Sequence, residues 1–102
     1  MPFSEQEKNN IKRELVANLC HEQEVVKIII FGSFLTASEP HDLDVAIFQT
    51  SDQAYLPLAM RYRSKTRKVS ERIALDILPI KADANNSVML DAIAQGEVVY
   101  ER

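Results

Sequence analysis

The sequence predicts an α/β (α+β) fold in which helices flank a small, mixed β-sheet. Short apolar runs rich in β-branched residues alternate with longer segments whose apolar residues recur at helical spacing. Taken in order, these segments form the series α-β-(short α)-β-α-β-α-β, which is typical of helices packed on a sheet. The strands are predicted over residues 25–31, 42–48, 75–79 and 98–100.

The first half of the chain predicts a helix over about residues 5–20 and then two strands. The run Ser4-Glu5-Gln6-Glu7 has the sequence of a capping box, and Ile11, Leu15 and Leu19 recur on one helical face. Residues 25–31 are apolar except for Lys27, which suits a strand covered on both faces. A loop through Pro40 precedes the second strand.

The second half predicts two more helices and two more strands. Residues 54–71 have the pattern of one helix, in which Pro57 is tolerated only in the first turn. Pro79 is expected to end the third strand or to place it at a sheet edge. Ser87 is predicted to cap a short last helix, with Gly96 at its C′ position before the final strand.

The composition is that of a small protein that folds as one unit. The chain has 102 residues, of which 46% are apolar, and a pI near 5.3. We therefore predict a single domain over residues 1–102, and the acidic pI argues against a general nucleic-acid-binding protein. No apolar run approaches the ~20 residues of a membrane span, and the first residues are too polar for a secretory signal. The single cysteine, Cys20, excludes an internal disulfide and a multi-cysteine zinc site, so we expect a cytoplasmic protein.

Positive charge is concentrated in residues 61–72, which carry six basic side chains and one acidic one, although the net charge of the chain is −3. A solvated helix face is the simpler interpretation of this segment. A surface for a phosphate group or an acidic partner is the alternative. The apolar and aromatic residues at 55–62 indicate core or an interface, including one between copies of the chain.

Three acidic residues interrupt otherwise apolar strands. Asp42 and Asp44 are two residues apart on one predicted strand, so their side chains share a face. Asp76 interrupts the next strand and joins the pair if the two strands are neighbours. Converging carboxylates repel one another unless a cation neutralises them, and hard oxygen ligands suit Mg²⁺ or Mn²⁺. The sequence therefore predicts a metal site, with a pair of solvated acids as the simpler alternative.

Gly32 and Ser33 follow the first strand directly. A short helical turn over residues 33–37 would present main-chain N–H groups there, and glycine lets a phosphate approach the backbone. Ser33 adds a hydroxyl donor. An ordinary turn is the simpler interpretation of Gly-Ser alone, but its position shortly before a same-face acidic pair favours a phosphate-binding role.

Together these residues resemble the minimal nucleotidyltransferase (MNT) family of the DNA polymerase beta-like nucleotidyltransferase superfamily. The resemblance lies in Phe31-Gly32-Ser33, in Asp42-Leu43-Asp44, and in Asp76 after a basic helix. Residues 92–102 are also similar to the usual C-terminus of the family. The resemblance implies transfer of a nucleoside monophosphate, with ATP as the expected donor, to an acceptor hydroxyl.

The resemblance also implies roles for these residues. Gly32 and Ser33 would hold the β- and γ-phosphates, Asp42 and Asp44 would bind Mg²⁺ or Mn²⁺, and Asp76 would complete the metal site and take the acceptor's proton. Many members are antitoxins paired with a small all-helical HEPN protein, which is the partner expected here. Others modify small molecules such as aminoglycosides.

The loop after Gly32-Ser33 departs from the family pattern. The family commonly continues with an arginine and a second glycine, whereas residues 34–38 are Phe-Leu-Thr-Ala-Ser. This change leaves open a degenerate module that neutralises a helical partner by contact alone. A small-molecule nucleotidyltransferase is the second alternative to an MNT-type enzyme.

Overall fold

Four strands form one sheet in the order β3-β2-β1-β4. The computed structural model describes residues 3–84 and 88–102. β2 and β3 run parallel, whereas β1 is antiparallel to both β2 and β4. The elements are α1 (Glu5–Leu19), β1 (Val25–Phe31), a 3₁₀ turn (Gly32–Leu35), β2 (Asp42–Gln49), α2 (Tyr55–Lys65), α3 (Arg67–Ser70), β3 (Ala74–Lys81), α4 (Val88–Ala94) and β4 (Glu97–Glu101). The predicted fold class, a mixed sheet flanked by helices, is confirmed.

The helices divide between the two faces of the sheet. Residues of α1, α2 and α3 form a core with Leu43, Val45 and Ile77 on one face of the sheet. We call this side the three-helix face. Ile93 of α4 packs with Ile29, Ala46 and Phe48 on the opposite side, the α4 face. Because side chains alternate along a strand, the even-numbered residues of β2 lie on the α4 face.

α1 begins at the predicted capping box. The N–H of Glu7 donates to Oγ of Ser4 at 3.0 Å, and the N–H of Ser4 donates to Oε1 of Glu7 at 3.1 Å. These two bonds satisfy donors that a helix start leaves unpaired. They fix the start of α1 beside the loop that follows β1, where the N–H of Phe3 donates to the carbonyl of Ser38 at 3.0 Å.

The single helix predicted over 54–71 is wrong, because the structure divides it at Thr66. The Thr66 hydroxyl is buried and donates to the carbonyl of Tyr62 at 2.8 Å. The hydroxyl shares this carbonyl with the N–H of Thr66, which donates to it at 3.1 Å, and such shared bonding often bends a helix. α3 resumes at Arg67, and Pro57 lies in the first turn of α2 as predicted.

Pro79 and Gly96 occupy positions that differ in part from the prediction. Pro79 does not end its strand, but β3 is an edge strand, where a missing N–H is tolerated. Gly96 lies at the predicted C′ position after α4, but without the left-handed backbone usual there, since Gly32 is the glycine with positive φ. A Cβ at Gly96 would lie 2.8 Å from Cγ2 of Ile29 and 2.9 Å from Cβ of Phe31, so glycine is required by close contact with β1. The predicted cap at Ser87 falls outside the described residues.

Glu24 connects the start of β1 to α2. Its Oε2 accepts hydrogen bonds from the Tyr62 hydroxyl at 2.8 Å and from the Arg61 guanidinium at 2.7 Å. Burial opposes ionisation of Glu24, but the hydrogen bonds and the charge of Arg61 outweigh it and lower its pKa. Ionised Glu24 therefore stabilises the folded state.

We expect Glu24→Gln to lower the free energy of unfolding at pH 7 by about 1.5–3 kcal/mol, the usual contribution of hydrogen bonds to a charged group. Because the folded-state pKa is depressed, this contribution is present above the ordinary pKa and disappears as pH falls through the folded-state value. Denaturant unfolding between pH 3 and pH 7 measures the effect. The control is Glu71→Gln at an exposed position. An equal loss at every pH would contradict the ionic role of Glu24.

No helix in the described part of the chain is both long enough and apolar enough to cross a membrane.

Candidate functional site

The predicted site residues come together at one end of the sheet. β1 ends there at Phe31, which pairs with Asp44 near the start of antiparallel β2. β3 is parallel to β2 and begins at the same end, and its Asp76 pairs directly with Asp44. The order across the sheet is therefore the Gly32-Ser33 turn, then Asp44, then Asp76.

All three predicted acids lie on the α4 face. Asp42 and Asp44 share that face with Ala46, and Asp76 shares it with Leu78. Asp44 is half-buried, whereas Asp42 and Asp76 are exposed. Asp42 pairs with Ala74 at the start of the strand, so Asp44 is the acid that faces another acid across the ladder.

Asp44 is the electrostatic centre of this cluster. Burial raises the pKa of Asp44 above its ordinary value of 3.8, the charge and hydrogen bond of Asp76 raise it further, and the charge of Asp42 adds a smaller effect. Burial and the two neighbouring carboxylates therefore all disfavour ionisation of Asp44, and a bound cation would offset these effects.

Gly32 lies against Asp44. Its φ of +83° is a backbone conformation that residues other than glycine rarely adopt. A Cβ at this position would lie 2.5 Å from Oδ2 of Asp44, which is closer than real Cβ contacts. The glycine therefore permits both the turn at the end of β1 and the contact of that turn with the carboxylate.

The helical turn predicted at 33–37 is present as one 3₁₀ turn, Gly32–Leu35. The carbonyl of Ser33 accepts from the N–H groups of Ala37 at 2.7 Å and Thr36 at 3.1 Å, which holds the turn closed. Ser33 is exposed and directly follows Gly32, the residue that lies against Asp44. Phe34 points the other way and is fully buried in the core.

The sequence of residues 10–102 matches the model of the polymerase beta nucleotidyltransferase family. The chain belongs to this family. The predicted superfamily is thereby confirmed, and the match spans the Gly32-Ser33 turn and all three acids. A comparison with curated proteins gives no match.

Solved structures confirm the fold of this nucleotidyltransferase domain. One similar chain belongs to the complex of the tri-AMPylated HEPN toxin with the MNT antitoxin of Shewanella oneidensis, at a TM-score of 0.68 and 14% identity over 93% of this chain and 73% of that one. Another belongs to the toxin–antitoxin complex MntA–HepT, at a TM-score of 0.56 and 15% identity over 96% of this chain and 74% of that one.

The donor set of the nucleotidyltransferase domain fits a hard divalent cation. Asp42, Asp44 and Asp76 offer only oxygen ligands, and the pKa of Asp44 is raised first by burial and then by neighbouring carboxylates whose charge a cation would neutralise. Within residues 3–84 and 88–102, however, no three His, Cys, Asp or Glu side chains form a group arranged to hold a metal ion. The structure pairs Asp44 with Asp76, and a three-carboxylate metal site stays a prediction.

The helices that carry the basic segment 61–72, α2 and α3, pack on the three-helix face, opposite the face that carries the acids. Arg61 is paired with Glu22 and Glu24, and Arg72 lies 3.8 Å from Glu14. None of the predicted site residues lines the surface groove of about 610 Å³ between α1 and β4. The candidate site is therefore defined by its chemistry and not by this groove.

One residue near the turn was not predicted from the sequence. Lys8 of α1 is buried, and its ammonium donates to the carbonyl of Ala37 at 2.7 Å. The signal was in the spacing, since Lys8 precedes Ile11 by three residues and so shares the buried face of α1.

Proposed function

We propose that this domain is a Mg²⁺-dependent adenylyltransferase that transfers AMP from ATP to an acceptor hydroxyl in the cytoplasm, as the MNT-like member of a pair with a HEPN-type protein. The observation that carries the proposal is the contact of Gly32 with Asp44 beside Asp76. This contact supports the proposal because phosphate groups held by the turn would lie next to carboxylates whose charge a cation would neutralise.

The proposed roles follow the order of the residues across the sheet. The Gly32-Ser33 turn holds the terminal phosphates, with the exposed Ser33 hydroxyl as a donor. Asp42, Asp44 and Asp76 would hold the cation, which when bound supplies charge neutralisation for the phosphates and the transition state. The central position of Asp44 lets one carboxylate serve both the phosphate side and the acceptor side of the site.

Asp76 is positioned for the acceptor, because it is exposed on the edge strand β3. In the proposed step, Asp76 accepts the proton of the acceptor hydroxyl as its oxygen forms a bond to the α-phosphorus of ATP. The bond from that phosphorus to the oxygen bridging to the β-phosphate breaks, and pyrophosphate leaves. An acceptor as large as a protein can reach Asp76 from the open edge.

The pairing with a HEPN-type protein is supported by the fold shared with chains from complexes of MNT antitoxins and HEPN toxins. A second candidate function, neutralisation of such a partner by contact alone, is favoured by an exposed patch on α2. The patch comprises Tyr55, Leu56 and Met60, which are 53%, 65% and 62% exposed. The exposed cations Arg63, Lys65, Arg67 and Lys68 follow it and suit an acidic partner surface.

The experiment incubates the domain with Mg²⁺, a HEPN-type protein encoded with it, and ATP labelled at either the α- or the γ-phosphate. We expect the α-label to enter the partner, with a loss of at least about 10²-fold in Asp76→Asn, as for removal of a general base. Transfer of the γ-label would contradict the proposal, as would undiminished transfer by Asp76→Asn.

The same assay separates the contact-only function. If the partner is neutralised without label, and Leu56→Asp/Met60→Asp abolishes neutralisation while Asp76→Asn does not, contact alone is the mechanism. Both α2 positions are exposed, so the double substitution should leave folding intact.

A further inference from the structure

Lys8 is a buried cation beneath the Gly32-Ser33 turn. Only 6% of the residue is exposed, although it lies in the first part of α1. Its ammonium donates to the carbonyl of Ala37 at 2.7 Å and lies 5.6 Å from the centre of the Phe34 ring. Both contacts are made with residues of the turn or of the loop that continues from it.

Burying an ammonium group is costly unless it is paired. Lys8 takes part in none of the ion pairs found among residues 3–84 and 88–102. A methionine would fill similar space without this desolvation cost. The contacts that compensate Lys8 are therefore those with Ala37 and Phe34, and they link α1 to the loop.

A short series of hydrogen bonds connects Lys8 to the candidate phosphate site. Its ammonium holds the Ala37 carbonyl, and the N–H of Ala37 donates to the Ser33 carbonyl at 2.7 Å. Ser33 is adjacent to Gly32, which lies against Asp44. The Phe3–Ser38 backbone bond anchors the same loop to the start of α1.

We infer that Lys8 is a positioning residue, which holds the Gly32-Ser33 turn at its distance from Asp44 and so sets the affinity for a nucleoside triphosphate. The ligand in this inference rests on the proposed function. Lys8 acts through Ala37, because its ammonium is already committed to that carbonyl. Residues 36–41 contain no helix or strand, so the loop depends on such anchors for its shape.

The test compares Lys8→Met with Lys8→Arg and with Val69→Ala. Lys8→Met removes the ammonium, Lys8→Arg keeps a cation with N–H donors, and Val69→Ala destabilises the core at a buried position in α3. The Kd for ATP with Mg²⁺ is measured by calorimetry at a temperature where all variants are folded. Hydrogen exchange of the Thr36 and Ala37 amides is measured without nucleotide.

We expect Lys8→Met to bind ATP about tenfold more weakly, at the lower end of the effect of removing a group that positions a binding residue. Lys8→Arg should recover most of the affinity, and Val69→Ala should bind like the wild type. The Thr36 and Ala37 amides should exchange faster in Lys8→Met than in Val69→Ala.

Equal ATP affinity in Lys8→Met and the wild type would overturn the inference, and so would equal loss in Val69→Ala. If the wild type itself does not bind ATP, the proposed function fails and the link from Lys8 to nucleotide affinity fails with it. Hydrogen exchange then still decides whether Lys8 holds the turn: unchanged exchange of the two amides in Lys8→Met would overturn that part as well.

Discussion

Gly32→Ala is expected to abolish nucleotide binding and to lower the free energy of unfolding by about 1–2 kcal/mol, the cost of a left-handed conformation for a residue with a Cβ. The added Cβ would also meet Oδ2 of Asp44 at 2.5 Å. A carboxylate is the mobile end of a side chain, so Asp44 can move away. That movement removes it from its position between the turn and Asp76.

Two measurements separate these effects. Denaturant unfolding gives the loss of stability, and calorimetric titration with ATP and Mg²⁺ gives the loss of binding. In an Asp44→Ala background, Gly32→Ala should cost less stability, because the contact with the carboxylate no longer exists. If Gly32→Ala binds ATP as the wild type does, the turn is not the phosphate site.

Asp42→Asn/Asp44→Asn is expected to have opposite effects on stability and binding. Without metal, the charges of Asp42 and Asp76 act against a half-buried Asp44 whose pKa is already raised by burial. The amide that replaces the Asp44 carboxylate can donate to Asp76 instead of repelling it. The Tm of the metal-free protein should therefore rise, by up to about 4–8 °C if 1 kcal/mol is gained in a domain of this size.

The same substitution removes two of the three predicted carboxylate ligands, so stabilisation by ATP with Mg²⁺ should disappear. Residues that lower the stability of the unoccupied protein are typical of a binding site. Residues that served only the fold would raise its stability. A fall in the metal-free Tm would show that the acids stabilise the fold and would contradict this account of the cluster.

More of the candidate site than of the details of the fold could be predicted from the sequence. Asp44 and Asp76 were recognisable because each interrupts an apolar strand, and Gly32 because it ends one. Their direct pairing was not predictable, since the register of two parallel strands depends on how the helical connection between them packs. The break at Thr66 was hidden for a related reason, because a hydroxyl bonded to the Tyr62 carbonyl leaves no trace in the apolar periodicity.

Two further features depend on contacts between distant parts of the chain. Gly96 has the sequence position of a helix C-cap, but its requirement for glycine comes from β1, about 65 residues earlier. Lys8 has the polarity of a surface residue, and only the loop at Ala37 makes its burial tolerable. The secondary-structure propensities of neighbouring residues do not show such contacts with distant segments.

The most direct test of the nucleotide site is a thermal-shift titration with ATP, with and without Mg²⁺. The comparison includes the wild type, Asp42→Asn/Asp44→Asn and the control Asp52→Asn/Asp83→Asn. The control removes two exposed acids that follow the last residues of β2 and β3, whereas the acidic cluster lies near their first residues. At about 100 times its Kd, a ligand that binds only the folded state stabilises it by about 2.7 kcal/mol.

We predict a rise in Tm that requires Mg²⁺, persists in the control variant and is absent from Asp42→Asn/Asp44→Asn. A wild type that shows no shift at millimolar ATP with Mg²⁺, or a shift that survives loss of Asp42 and Asp44, would contradict the assignment of the Gly32-Ser33 turn and the acidic cluster as a nucleotide site.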